Sequence, residues 1–394
     1  MPRTPPSDLG TRRPVAAVVF RYVHHYRAGF YERLRVLLRD RGVELRLLVG
    51  RPGPRDQARR DAVTIPWATP IDTRYVSLGR RELCWQSCLS ATWDADLVVV
   101  EQASRLLANY VLLARRAFGG PRVAMWGHGE NIQPHRADRL GERVKQVMSR
   151  RADWWFAYNE TSAAVVRGFG FPVERTTVVQ NAIDTSGLRT MQSQLDPTDI
   201  QDARARWAVK GRHVGVFSGS LYPDKRLRFL IAAADRVRAE VPDFELLVIG
   251  AGPDEPFVRS AADSRTWLHP LGALYGRDKV LAFSLCQAYL VPGLVGLGIL
   301  DGFALGLPLV TTRVPFHSHE IEYLTDGVDG VMVDDWRDPQ EYARAIVRVM
   351  TDPDLQLRLK AGCAAAGRRY TIEAMSDRFA AGVCQAIQAP KRRA

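Results

Sequence analysis

The chain has 394 residues, 46% of them hydrophobic and 25% charged, a length comfortable for two folded domains and a composition that excludes a disordered or fibrous chain. Its formal net charge of +12 comes mainly from arginine spread along the whole sequence, read either as a solvated basic surface or as a face for an anionic partner such as a membrane; no RRM or zinc-finger signature accompanies it. The cysteines Cys84, Cys88, Cys286, Cys363 and Cys384 are odd in number and lack a C-x-x-C pair, which fits a reducing, cytoplasmic setting.

Residues 1–13, rich in proline and arginine, read as a disordered basic tail. Val15 to Phe20 follows as a strand, too short for a signal-peptide core. A loop with His24, His25, Tyr26 and Arg27 leads into an amphipathic helix from Phe30 to Asp40, ended by Gly42, and Val43 to Gly50 is the next strand. Arg51 to Trp93 shows no clear period and includes a proline- and arginine-rich excursion. Asp96 to Glu101 is a strand, Arg105 to Phe118 a helix, and Pro121 to Trp126 a strand ending in Gly127-His128-Gly129-Glu130. Asp138 to Arg151 is helical, Trp154 to Tyr158 a strand, Glu160 to Gly168 a helix and Thr176 to Gln180 a strand.

After a polar segment, Thr185 to Lys210, a second series begins. His213 to Ser218 is a strand, Leu227 to Glu240 a helix, Phe244 to Gly250 a strand and Glu255 to Asp263 a helix. Trp267 to His269, a helix near Lys279 to Leu285, and the strand Gln287 to Pro292 follow. Ile299 to Leu305 is a short helix entered through Gly293, Gly296 and Gly298, and Pro308 to Thr312 is a strand. His319 to Leu324 is helical, Gly330 to Val333 a strand, and helices fill the rest. Leu281 to Leu300 is the most apolar region, but Gln287, Pro292 and the glycines make it a poor membrane span. Strands alternating with helices imply two tandem, doubly wound α/β domains, with ligands met at the loops that follow the strands.

Those loops carry the chemistry. Cys286 to Thr312 is a strand, glycine loop, helix and strand, an arrangement that lets backbone N–H groups approach a diphosphate, while Asp301 accepts hydrogen bonds from sugar hydroxyls. The ligand suggested is a nucleotide-sugar; the alternative is that the glycines only pack the turn. Lys225, on the loop after the second domain's first strand, has the charge to neutralise a pyrophosphate or is a solvated turn lysine. Gly250 and Gly252 either admit a phosphate or base or only turn the chain. The glycines flanking His128 expose its imidazole for a functional role, the alternative being core packing. His25, Tyr26 and Arg27 either grip an acceptor or cover the sheet end. Glu320, in His317-Ser-His319-Glu320, complements a helix dipole. Ser-His-Asp order, H-E-x-x-H and clustered metal ligands are absent from the pattern.

Taken in order, W-G-H-G at Trp126 to Gly129, N-A-I-D at Asn181 to Asp184, G-S-L-Y-P-D-K at Gly219 to Lys225, I-G-A-G-P at Ile249 to Pro253 and P-G-L-V-G-L-G-I-L-D-G-F-A-L-G-L-P at Pro292 to Pro308 resemble the GT-B-fold retaining glycosyltransferases of family 4 type. The branch resembled has V-G-L in place of E-G-F. The resemblance implies two Rossmann-like domains with a cleft between them: an acceptor domain over residues 14–186, a nucleotide-sugar domain over 187–375, and a crossover helix with a basic tail over 376–394. It implies sugar transfer from a nucleotide-sugar, a UDP- or GDP-sugar, to an acceptor hydroxyl, with retention, no metal and no bound cofactor. His128, Lys225 and Asp301 match the active-site positions; Gly219, Ser220, Gly250, Gly252, Gly296 and Leu297 match the donor-binding loops; His25, Tyr26 and Arg27 are the acceptor candidates. The first acid of the family's carboxylate pair falls on Gly293, and its phosphate-loop arginine on Ser220. The acceptor is a glycan, a lipid-linked sugar or a small molecule, nucleic acid is not a partner, and the setting is the cytoplasm with peripheral contact at an anionic inner membrane face. The alternatives are a non-catalytic nucleotide-sugar-binding scaffold of the same fold and a GT-B-fold sugar-nucleotide epimerase.

Overall fold

The computed structural model describes residues 12–54, 62–78, 81–129 and 146–392. The chain divides into two compact units, with the breaks after Gln180 and after Ile372, so that Glu373 onward returns to the first unit.

The first unit is built on a seven-stranded sheet. From one edge its strands are Thr176–Val178, Trp154–Ala157, Arg122–Gly127, Leu97–Glu101, Val15–Phe20, Glu44–Val49 and Thr69–Pro70. Every pairing is parallel. Val15–Phe20 is buried at every position, which is why it reads as a continuous apolar run: helices cover both faces of a parallel sheet. The strand order reverses between Val15–Phe20 and Leu97–Glu101, so their carboxyl ends open a crevice. Arg21 Nε meets Glu101 Oε2 there at 3.4 Å.

The helix Ile372–Gln388 packs into this unit through Phe379. That ring stacks on Phe156 at 4.2 Å and meets Trp126 at 4.8 Å and Phe30 at 5.3 Å, edge to face. Gly382 permits the approach, because a Cβ there would lie 2.7 Å from the Phe156 ring.

The second unit has a six-stranded sheet in the order Leu268–Gly272, Phe244–Ile249, His213–Ser218, Ala288–Val291, Leu309–Thr312 and Gly330–Val333. Its pairings are also parallel. Numbered along the chain this is the 3-2-1-4-5-6 order of a dinucleotide-binding sheet, with its switch point between His213–Ser218 and Ala288–Val291. The short helix Ile299–Leu305 has the bounds expected, closed by Gly306 in the left-handed region at φ 70°.

Several elements differ from the sequence expectation. The polar segment 185–210 contains two helices, Ser186–Ser193 and Pro197–Arg206. The second starts with a capping box in which Asp196 and Asp199 satisfy each other's backbone N–H groups, with Pro197 in the first turn. The unparsed segment 51–93 holds an antiparallel pair, Thr73–Leu78 with Arg81–Gln86. The strand expected to reach Gln180 ends at Val178, since Gln180 has φ 53°. His319–Tyr323 is a 3₁₀ turn rather than an α-helix. The basic tail is described only from Arg12, and of the helix expected over 138–151 only 146–150 fall within the described residues, where they are helical. Among the described residues no helix is long and apolar enough to cross a membrane.

Candidate active site

In the second unit the switch point brings two loops together, Gly219 to Arg226 and Pro292 to Gly298. Lys225 Nζ donates to the Leu294 carbonyl at 2.5 Å, and the Leu294 N–H donates to the Asp224 carbonyl at 2.8 Å. Burial lowers the Lys225 ammonium to about 8, against which the nearby Asp224 acts only weakly. Behind the loop, Thr312 Oγ1 and Arg226 Nη1 both donate to the Pro292 carbonyl, at 2.7 and 3.3 Å. Pro292 to Val295 are buried by these contacts, whereas Gly296, Leu297 and Gly298 are only half-buried. The inner half of the loop is therefore fixed and the outer half faces outward.

His317, read from the sequence only as part of a helix start, is the further clamp. Its Nδ1 accepts the Val295 N–H at 3.1 Å and its Nε2 donates to the Thr312 carbonyl at 2.7 Å, so the ring must be neutral with its proton on Nε2. Desolvation, together with the Lys225 and Arg313 charges, pushes its pKa down to about 4. The unfolded chain takes up this proton near pH 6.5, so the stability His317 contributes is full above that value and is lost as pH falls towards 4. The loss expected is about 3 kcal/mol. Denaturant unfolding at pH 7.5 and pH 4.5 should show a smaller drop for His317→Asn than for the native chain; equal drops would remove His317 as the cause.

Asp301 is 8% exposed, and its Oδ2 accepts from Lys279 Nζ at 2.6 Å. Beside it Tyr289, whose phenol is held in the neutral form by burial and by the Asp301 charge, donates to the Ser218 carbonyl at 2.7 Å. The carboxylate is thus anchored next to the end of the first strand, and a second oxygen remains to accept further hydrogen bonds. Gly219 and Ser220 lie on the same loop as Lys225; Ser220 is exposed. Gly250 and Gly252, at φ 145° and 152°, have a backbone reason to be glycine: a Cβ on Gly250 would overlap the Gly219 carbonyl, and one on Gly252 the Leu221 carbonyl.

The first unit assembles its residues at its own switch point. Gln102, not singled out from the sequence, accepts the Gly129 N–H on Oε1 and donates to the Gly129 carbonyl from Nε2, both at 2.9 Å. It fills the space beside Gly127, where a Cβ would come within 2.7 Å of Gln102 Cβ. His128 is held between these glycines, 4.3 Å from the Tyr158 ring, with Nδ1 3.3 Å from Ser162 Oγ. The Arg27 guanidinium lies over Tyr158, Trp126 and Tyr26 at 5.8, 5.6 and 5.4 Å. Arg27 is only 4% exposed, so the loop presents His25 and the edge of Tyr26 outward, with Arg27 as filling beneath them. Tyr158, expected only as a strand end, links Arg27 to His128. Glu130 lies outside the described residues. Glu320, expected as a dipole-complementing acid, is buried and accepts from Asn181 Nδ2 at 2.7 Å.

Two family models match the chain, Glycosyltransferase Family 4 over residues 30–186 and Glycosyl transferases group 1 over residues 212–352. The chain belongs to the family 4-type glycosyltransferases. The alpha-D-kanosaminyltransferase of Streptomyces kanamyceticus is 24% identical over 45% of this chain and 47% of its own length. The GDP-mannose-dependent alpha-(1-6)-phosphatidylinositol monomannoside mannosyltransferase of Mycolicibacterium smegmatis is 27% identical over 66% of this chain and 68% of its own. Three of the curated relatives are matched over only about half of their own length. Among solved structures, Anabaena HepE in complex with UDP-glucose superposes with a TM-score of 0.67, covering 94% of this chain and 99% of that one at 16% identity. A glycosyltransferase from Rickettsia africae gives 0.70, covering 96% and 100% at 11% identity. These likenesses show that the family's GT-B fold of two parallel-sheet α/β domains is present.

Within this glycosyltransferase framework Gly293, matched to the first family acid, has no room for a side chain. A Cβ there would overlap the Asp224 carbonyl and lie 2.8 Å from Lys225 Cα. Gly293→Glu is therefore expected to lower the melting temperature and displace the Lys225 loop rather than restore an acid to the site. A stable Gly293→Glu protein with unchanged nucleotide binding would contradict this packing.

Proposed function

We propose that the protein is an enzyme transferring a sugar from a nucleotide-sugar, UDP- or GDP-linked, to an acceptor hydroxyl with retention of anomeric configuration. The observation that carries this reading is the junction of the two switch-point loops, where a half-buried lysine, a glycine loop and an anchored carboxylate converge at the ends of adjacent strands. Lys225 has the charge and place to stabilise the negative charge that builds on the departing diphosphate, aided by backbone donors of Gly296 and Leu297. Asp301 receives the ribose hydroxyls on the oxygen facing away from Lys279. His128, with Tyr26 and His25, belongs to the acceptor side. The acceptor hydroxyl attacks from the face the diphosphate leaves, and the diphosphate takes its proton, so neither a protein base nor a metal is called for. The relatives support the class of donor: one is named for GDP-mannose, and HepE was solved with UDP-glucose. One relative is named for phosphatidylinositol monomannoside and another for D-inositol 3-phosphate, and we place this enzyme in the cytoplasm, where its cysteine thiols stay reduced.

The test is a thermal-shift panel of UDP, GDP, ADP, dTDP and their common sugars on the native chain and on Asp301→Ala. A ligand at one hundred times its dissociation constant stabilises the native state by about 2.7 kcal/mol. One nucleotide should raise the melting temperature, less so in the variant. No shift at millimolar nucleotide would sink the reading, and a shift without turnover of any donor would favour the non-catalytic binder.

A further inference from the structure

The Asp301 carboxylate comes with a cation of its own. Lys279, on the helix Gly276–Ser284, donates from Nζ to Asp301 Oδ2 at 2.6 Å. The two side chains are 19% and 11% exposed, so the pair is largely enclosed yet still reached from outside. An ammonium has three N–H groups, and Asp301 takes one of them. The Phe283 ring stands 5.8 Å from Nζ, and among the described residues no second acceptor meets it, just as no donor meets Asp301 Oδ1. The pair therefore offers a donor and an acceptor side by side. Tyr289 ties it to both loops of the site: the phenol beside Asp301 donates to the Ser218 carbonyl at 2.7 Å, and a Cβ on Gly298 would lie 2.8 Å from that hydroxyl.

We infer that Lys279 is a specificity-determining residue of the donor site: the ribose diol donates to Asp301 Oδ1, and one of its oxygens accepts from Lys279 Nζ. This rests on the nucleotide-sugar reading of the same site. A hydroxyl is both donor and acceptor, whereas an ionised carboxylate only accepts, so Asp301 by itself satisfies the O–H groups and leaves their oxygens unmet. The ammonium supplies the missing donor. It also offsets the charge of Asp301, which would otherwise repel an anionic diphosphate bound at the neighbouring loops. A deoxyribose leaves one member of a partly enclosed ion pair facing no partner, a loss that a site built to bond a hydroxyl does not recover elsewhere. Lys279 thus selects ribonucleoside over deoxyribonucleoside diphosphates, which places a thymidine-type donor outside its range.

The test is calorimetric titration of the full chain with UDP, GDP and their 2′-deoxy and 3′-deoxy forms. In the native protein each missing hydroxyl should weaken binding by roughly tenfold or more. In Lys279→Met one of the two deoxy penalties should shrink to within a few-fold while the other persists, and Lys279→Arg, which keeps a charged donor, should restore part of the lost discrimination. A variant that merely loosened the fold would weaken all six ligands alike. If Lys279→Met does not fold, Lys279→Met with Asp301→Asn removes both charges together and should still lack the penalty at the hydroxyl that Lys279 reads. Native binding indifferent to both hydroxyls, or a Lys279→Met chain (or that double variant) that keeps both penalties at native size, overturns the inference while leaving the nucleotide site standing. A native chain that binds neither UDP nor GDP at millimolar concentration brings down the nucleotide-sugar reading, and this inference with it.

Discussion

Lys225→Ala should reduce turnover of the nucleotide-sugar by about 10²–10³-fold without a matching loss of melting temperature. The charge is expensive where it sits, since burial already lowers its pKa to about 8. Removing it therefore relieves a desolvation cost and gives up one hydrogen bond to the Leu294 carbonyl. In the transition state the balance reverses, because a diphosphate leaving beside the ammonium gains from a cation that water screens poorly. The same logic sets a pH dependence. An anionic diphosphate binds the protonated lysine better, so affinity is full below pH 8 and falls as pH rises through that value, and the alanine variant should lack this fall. Nucleotide titrations at pH 7 and pH 9 separate the two. Turnover within a few-fold of the native level in Lys225→Ala would mean that the positive charge lies elsewhere. Arg226 is the alternative to examine, but its guanidinium faces the Pro292 carbonyl and the Phe229 ring, beneath the loop.

What could be read from the sequence was set by local pattern. Ile299–Leu305 is bounded by Gly298 and Gly306, and the central strand Val15–Phe20 is an unbroken apolar run because both faces of its sheet are covered. The helices between 185 and 210 were missed because their exposed faces are polar and Ser186–Ser193 contains no buried residue. The sequence Asp196-Pro197-Thr198-Asp199 was nevertheless a readable start signal. The pair Thr73–Leu78 and Arg81–Gln86 lacks an apolar alternation, with Arg74, Ser77, Glu82 and Gln86 among its residues, so period alone offered no strand. The site divides in the same way. Glycine and lysine positions were legible from motif order, but their partners were not. Lys279 reaches Asp301 across 22 residues and Gln102 reaches Gly129 across 27, distances over which only the folded sheet edge defines a neighbour. Gly293 shows the limit of spacing: it counts to the position of an acid, yet its surroundings are already filled by the backbone of Asp224 and Lys225.

The largest stability effect is expected at the opposite edge of the first sheet. Asp153, 1% exposed at the amino end of Trp154–Ala157, receives both arms of the buried Arg116 guanidinium at 2.6 and 2.8 Å. It also accepts the backbone N–H groups of Val123 at 3.1 Å and Arg392 at 2.9 Å. Asp153→Ala would leave Arg116 charged, buried and without its carboxylate, at a cost of about 3–5 kcal/mol. The C-terminal residues add a second layer: Arg122 donates to the Ala389 carbonyl at 3.0 Å, Arg175 to that of Pro390 at 2.9 Å, and Arg392 to those of Arg150 and Ala152 at 2.8 and 3.0 Å. Truncation after Gln388 removes this layer but leaves the ion pair, so it should destabilise less than Asp153→Ala. Pairing Asp153→Leu with Arg116→Met removes both charges together and should recover part of the loss, since the penalty comes from the unpaired charge rather than from the missing attraction. Chemical denaturation of the three variants ranks these terms. A double variant as unstable as Asp153→Ala would show that the Val123 and Arg392 N–H groups, left without their acceptor, set the cost instead.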